Sequence, residues 1–277
     1  MKHITLEKNF KTNKTTDKLL KEVVKLIEKE KNTSEKDLST ILDIEYCYNY
    51  YIEWIDVYNQ TFSEVDKNWT PNVKYDFEQY KKIFFEYYNE LKKTKTFTKE
   101  MLIRIQEIIE PNKKWIRKVP VWVFKWWRCI FRPVDFQVVE EELEYLIKYF
   151  NEILQSNNLE KQIYSLFWSH SWFESIHPFE DWNWRTWRFL FVLFFYVITW
   201  KLIFVSKDIV ENWKLAYYRA LNDCDYKEAK YNNMNEYFLR LYRYHFKPND
   251  EDEKYFEHQI FMERHWDNLL LSGLFWI

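Results

Sequence analysis

Ile176-His177-Pro178-Phe179-Glu180-Asp181-Trp182-Asn183-Trp184-Arg185-Thr186-Trp187-Arg188 gathers an imidazole, carboxylates, an amide and two guanidinium groups into one short stretch. The segment before it, Leu159 to Ser175, and the apolar run after it, Phe189 to Trp200, both read as helices. The polar stretch is therefore the connection between two core helices, with the second helix beginning near Asn183. A loop at a helix N-terminus has free N–H groups and the positive end of the helix dipole, and both favour a phosphate-like anion. Arg185 and Arg188, three apart, fall on neighbouring helix positions and add multidentate donors.

The stretch closely resembles the signature of the Fic family, His-Pro-Phe-x-[Asp/Glu]-Gly-Asn-Gly-Arg-x-x-Arg, with each polar member in register and Trp182 and Trp184 at the two motif glycines. The resemblance implies a mainly α-helical Fic-fold bundle with a small β-hairpin flap, and transfer of AMP from ATP to a Ser, Thr or Tyr hydroxyl of a protein. It implies His177 as the general base, Asp181 as the Mg²⁺ ligand and Asn183 against the α-phosphate. Backbone amides around Trp182 and Trp184 would complete the anion hole, and Arg185 and Arg188 would hold the β- and γ-phosphates. Phe179 reads as a loop anchor in the core. The kinase-like Doc branch carries Lys at the second motif glycine, where this chain has Trp184, so nucleotidyl transfer is favoured over phosphorylation; a nucleotide other than AMP stays open.

Family members that restrain themselves carry [Ser/Thr]-x-x-x-Glu-[Gly/Asn]. Here Asn49-Tyr50-Tyr51-Ile52-Glu53-Trp54 offers Ile52 and Glu53, with Asn49 replacing the hydroxyl residue and Trp54 again at the glycine position. On that resemblance Glu53 is an inhibitory residue that pairs with Arg188 and blocks the γ-phosphate. The alternative is an ordinary exposed helical glutamate.

Trp at glycine positions recurs along the chain. Glycine usage near 7% predicts roughly 19 glycines at this length, yet there is one, Gly273, beside fifteen tryptophans, together sixteen. Trp69, Trp115, Trp126, Trp127 and Trp200 stand where turn or helix-end chemistry asks for glycine. Some lineages read UGA as glycine and others as tryptophan, so a gene of the first kind translated by the second rule gives this pattern. The sequence thus predicts glycine codons at 182, 184 and 187. If the tryptophans are genuine, the alternative is a degenerate, non-catalytic Fic-fold binding protein.

A net charge of −2 and a pI near 6.4 supply no general pull toward nucleic acid or anionic membrane. The aromatic residues, interleaved with acidic ones at helical spacing, read as core rather than as a stacking surface for single strands. Cys47, Cys129 and Cys224 are odd in number and lack metal-ligand spacing, which suits a reducing compartment. No apolar h-region follows Met1-Lys2-His3-Ile4-Thr5, and the run from Phe189 to Trp200 is short of the ~20 residues needed to span a bilayer. The expected location is the cytoplasm, with no nucleic-acid or membrane partner; self-association stays open.

Periodicity predicts helices over Asp17 to Lys31, Ser34 to Tyr58, Tyr75 to Lys93, Thr98 to Glu110, Asp135 to Leu154 and Asn232 to Phe246. Val119 to Phe124 and Arg128 to Phe131 are β-prone around Lys125-Trp126-Trp127, a hairpin signal. In the family a flap at this place pairs with a target segment, so the protein target is expected to dock near Val121–Phe131. Ser206-Lys207 and Tyr217-Tyr218-Arg219-Ala220-Leu221 also resemble a family stretch. Pro248 to Glu253 reads as a solvated acidic turn before a last amphipathic helix. The expected organisation is an N-terminal helical region with the inhibitory helix (1–97), a Fic catalytic core (98–246) and a C-terminal helical extension (247–277).

Overall fold

In the computed structural model, which describes residues 13–39, 42, 73–110, 115–125, 128–201, 212–222 and 232–271, α1 spans Lys14–Lys29. It starts three residues before Asp17, the start expected from the sequence, because Asn13 caps it. The Asn13 side chain accepts from the Thr15 and Thr16 amides, and Thr16 Oγ1 accepts from the Asn13 amide at 2.9 Å. Next come α2 (Val73–Thr94) and α3 (Lys99–Ile109), the latter capped by Thr98. Strands β1 (Val123–Lys125) and β2 (Arg128–Phe131) pair antiparallel, with Phe124 opposite Cys129 and a bulge between Val123 and Phe124. A 3₁₀ turn at Phe136–Val138 leads into α4 (Val139–Gln155), then α5 (Leu159–Ile176) and α6 (Asn183–Thr199). The described chain ends with α7 (Lys214–Asn222), α8 (Asn232–Phe246) and α9 (Asp250–Leu271).

The centre of the bundle is α5. Every residue from Gln162 to Ile176 is buried, because α1, α4, α6 and α8 pack around it. A helix covered on all sides needs no polar stripe, and Phe167, Trp168, Trp172 and Phe173 fill the interior. α6 lies against α5 on one side and against α2 and α3 on the other, with Phe189 meeting Tyr80 and Phe84 edge-on. The α5–α6 pair is thus a rigid frame, and the polar stretch is its connection. No helix of the described residues is long and apolar enough to cross a membrane.

A second core joins α7, α8 and α9 through Trp213, Ala216, Met234, Tyr237 and Phe256. The acidic segment before α9 differs from the sequence expectation: it is the helix's first turn, and Asp252 is fully buried. Asp252 meets Arg240 at 2.9 Å and Arg243 at 2.6 Å, and Arg243 also reaches Glu22 of α1 at 2.9 Å. The carboxylate of Asp252 and its neighbours hold Arg243 above its ordinary value despite burial. The acidic residues therefore complement the helix N-terminus and fasten α9 to α8 and α1.

Candidate functional site

α5 ends at His177 in the left-handed conformation, φ 49° and ψ 63°, with its N–H donating to Phe173 O at 2.8 Å. Positive φ costs a non-glycine residue about 1–2 kcal/mol, and here it turns the chain off the helix axis while keeping an imidazole at the turn. The ring is half-buried. Glu174, one helical turn back, places Oε2 3.7 Å from His177 Nδ1, too long for a hydrogen bond.

Between His177 and α6 the loop is fixed from inside by Asn183. Its Oδ1 accepts from the Phe179 amide and its Nδ2 donates to Phe179 O, both at 2.9 Å. The side chain expected to meet the α-phosphate is seen bonded to the loop itself. Phe179 is wholly buried and bridges to Ile116, so the anchoring role expected for it is what the structure places there. From outside, Gln106 of α3 donates through Nε2 to Asp181 O at 3.2 Å and accepts from Thr186 Oγ1. Loop and first helical turn are thereby held as one piece.

Trp182 occupies the N-cap of α6 with φ 60° and ψ 24°, and its side chain makes no capping bond. Trp200, the C-cap of the same helix, has φ 60° and ψ 19°. These are two of four non-glycine residues with positive φ in the described structure, and glycine is the residue without a penalty there. Trp184 and Trp187 differ: both lie within α6, and Trp187 is buried against Phe150, His170 and Phe173. The backbone argument for glycine therefore applies at 182 and 200, not at 184 or 187. Trp115 is exposed, while Trp69, Trp126 and Trp127 lie outside the described residues.

The Trp182 indole covers Arg185, whose Cζ sits 3.6 Å from the ring centroid. Arg188, one turn further along α6, is half-buried. Asp181 is exposed, and its Oδ1 accepts from the Trp182 amide at 2.8 Å. Among the described residues there is no cluster of three or more His, Cys, Asp and Glu that could hold a metal. Asp181 is a lone exposed carboxylate, the kind of oxygen ligand that could hold Mg²⁺ together with phosphate oxygens and waters.

Trp184 packs on His170 and Tyr217. His170 is buried among these rings and Phe238, with Nε2 2.9 Å from Tyr217 Oη. Burial lowers its pKa to about 4, against a smaller opposing pull from Glu174. His170 is consequently neutral near pH 7, a packing residue behind the loop.

Glu53 lies outside the described residues, so its relation to Arg188 is not on view. Three residues that shape the site escaped the sequence reading: Glu174, Gln106 and Arg117. Gln106 had a visible signal, a polar residue on the otherwise apolar stripe Leu102, Ile105, Ile109. Arg117 had none, being one cation among several in Lys113-Lys114-Trp115-Ile116-Arg117-Lys118.

Residues 96–195 match the sequence model of the Fic/DOC family. The fold is similar to that of a Fic family protein from Desulfovibrio desulfuricans G20, with a TM-score of 0.59 and 16% identity over 86% of this chain and 74% of that one. It is also similar to a Fic domain containing signaling protein from Bacteroides thetaiotaomicron VPI-5482, with a TM-score of 0.54 and 14% identity over 84% of this chain and 96% of that one. No curated protein matches.

Proposed function

We propose that this chain, a Fic family protein through residues 96–195, is a protein adenylyltransferase that moves AMP from ATP to a Ser, Thr or Tyr hydroxyl of a target protein. The observation that carries the reading is the α5–α6 connection, with the imidazole of His177 at one end and the N-terminus of α6, bearing Arg185 and Arg188, at the other. A base and an anion site on one short rigid loop are what phosphoryl chemistry needs, since catalysis there is mostly positioning and charge stabilisation.

In the proposed reaction the target hydroxyl oxygen bonds to the α-phosphorus as the bond from that phosphorus to the bridging oxygen of the β-phosphate breaks. His177 takes the hydroxyl proton, and pyrophosphate leaves toward Arg185 and Arg188. Asn183 keeps the loop closed by its pair of bonds to Phe179, and the amides of residues 183 and 184, in the first turn of α6, would meet the anion. Asp181 would hold Mg²⁺, which when bound supplies neutralising charge to the phosphate oxygens. The target would meet the β1–β2 hairpin, and the site is proposed to work in the cytoplasm.

This reading applies to a chain with glycine at 182 and 184. As translated, the Trp182 indole lies on Arg185, which favours a second reading, a non-catalytic binder. Calorimetry with ATP on the translated chain and on Trp182→Gly/Trp184→Gly decides between them. Each charged hydrogen bond recovered is worth about 1.5–3 kcal/mol, so glycine should tighten binding by at least tenfold, on the order of 1.4 kcal/mol; equal affinity would exclude this account of the tryptophans. In the glycine form, His177→Ala should abolish AMP transfer from labelled ATP while ATP binding persists, and undiminished transfer would remove His177 from the mechanism.

A further inference from the structure

Arg117 is buried, at 2% exposure, between the end of α5 and the base of the β1–β2 hairpin. Its four guanidinium hydrogen bonds all go to main-chain carbonyls. Nε donates to His177 O at 2.7 Å and Nη2 to Ile176 O at 3.1 Å, so the cation caps the last carbonyls of α5 at the negative end of the helix dipole. Nη2 also donates to Val134 O at 2.5 Å and Nη1 to Val119 O at 3.1 Å. Val119 precedes β1 and Val134 follows β2, so one planar fork grips both feet of the hairpin and the peptide of His177 together. Backbone bonds run in parallel: the Arg117 amide donates to Pro178 O at 2.9 Å and the Val134 amide to Ser175 O at 3.0 Å.

We propose that Arg117 is a positioning residue for His177, tying the hairpin against which a target segment would dock to the imidazole that takes its proton. The proposal rests on the reading of His177 as general base. Five donors in a rigid plane satisfy carbonyls in several directions at once, which an ammonium on a flexible stem does not do. The left-handed turn at His177 is held by the bond to its own carbonyl, so loss of the fork frees the ring to leave its working position without removing any group that touches ATP.

The test uses Arg117→Lys in the Trp182→Gly/Trp184→Gly chain, with Arg117→Gln as the second variant. A cooperative melt first establishes folding. In a folded variant, kcat for AMP transfer should fall by about tenfold or more, as misplacement of a reacting group does, while KM for ATP stays unchanged. The nitrogen-15 imidazole resonances of His177 should move relative to the parent, with those of His170 in place. Unchanged kcat, a loss confined to KM for ATP, or a stationary His177 signal would each overturn the proposal, as would failure of both variants to fold, which would make Arg117 a fold-holding residue only. If the parent itself transfers no AMP, the adenylyltransferase reading falls separately, and the His177 resonance alone decides for or against Arg117.

Discussion

Replacing Trp182, Trp187 and Trp200 each by glycine and by alanine separates backbone conformation from loss of the indole. Both substitutions remove the ring, including the Lys92 ammonium contact at 4.2 Å over Trp200 and the Arg185 contact over Trp182, so those losses cancel in the difference. At φ 60° the β-carbon of alanine costs about 1–2 kcal/mol. Glycine's greater freedom when unfolded offsets roughly 0.5–1 kcal/mol of that. Glycine should therefore exceed alanine by on the order of 0.5–1 kcal/mol at 182 and 200, a gap of about 2–4 °C per kcal/mol in melting temperature for a chain of this size. At Trp187, inside α6, the sign reverses and alanine should lead by about 0.8–1.0 kcal/mol. Urea or thermal unfolding of the six variants measures this. Alanine equal to or better than glycine at 182 and 200 would refute the inference that these positions are built for glycine. The gene offers an independent check, since UGG rather than UGA at 182 and 200 would make the tryptophans genuine.

His170 has a folded pKa of about 4 against an unfolded value near 6.5, so the unfolded chain binds a proton that the folded one refuses. Stability should fall as pH drops from about 6.5 to about 4, by up to roughly 3 kcal/mol, and His170→Gln should flatten that part of the urea-midpoint profile; an unchanged slope would contradict the assignment. Asp252→Asn leaves two buried guanidinium groups short of their shared anion, so unfolding free energy should drop by about 3 kcal/mol; a loss below about 1 kcal/mol would show that Glu22, Glu236 and Glu251 suffice. Glu53→Gly in the glycine form should raise self-modification, read as AMP incorporation by mass spectrometry, because its carboxylate is proposed to compete with the γ-phosphate for Arg188. Equal or lower incorporation would mean that this segment is not inhibitory.

The helices were legible where one face alone is buried. Leu102, Ile105 and Ile109 mark α3, and Thr98 marks its start, because period and cap both follow from local chemistry. α1 began earlier than its periodicity because Asn13 and Thr16 form a reciprocal cap with no apolar residue to announce it. Of the acidic turn Asp250–Glu253 only Asp252 departs from the solvated expectation, since Asp250, Glu251 and Glu253 are exposed. Charge alone suggests exposure, and only the meeting of α8 and α9 reveals that Arg240 and Arg243 wait for Asp252. The site residues were named from their motif, but what holds them was not. Arg117 and Gln106 act from distant elements through main-chain carbonyls, and a carbonyl leaves no trace in the sequence that would identify its donor.

The α5–α6 connection carries positive φ at both ends, 49° at His177 and 60° at Trp182. With Asn183 closing the loop onto Phe179, those two residues set how the chain turns from one helix into the next. The cost of the conformation is similar at each, yet the two positions differ in what a side chain can contribute. At 177 the imidazole is the proposed working group, so the strain accompanies function and is balanced by the bonds Arg117 makes to the surrounding carbonyls. At 182 the indole caps nothing and covers Arg185. Glycine there relieves the backbone and uncovers the guanidinium in a single change, so anion binding should improve at 182, while the lost packing and cation contact of the indole offset the backbone gain. At Trp187, where the ring fills the core, glycine should lower stability.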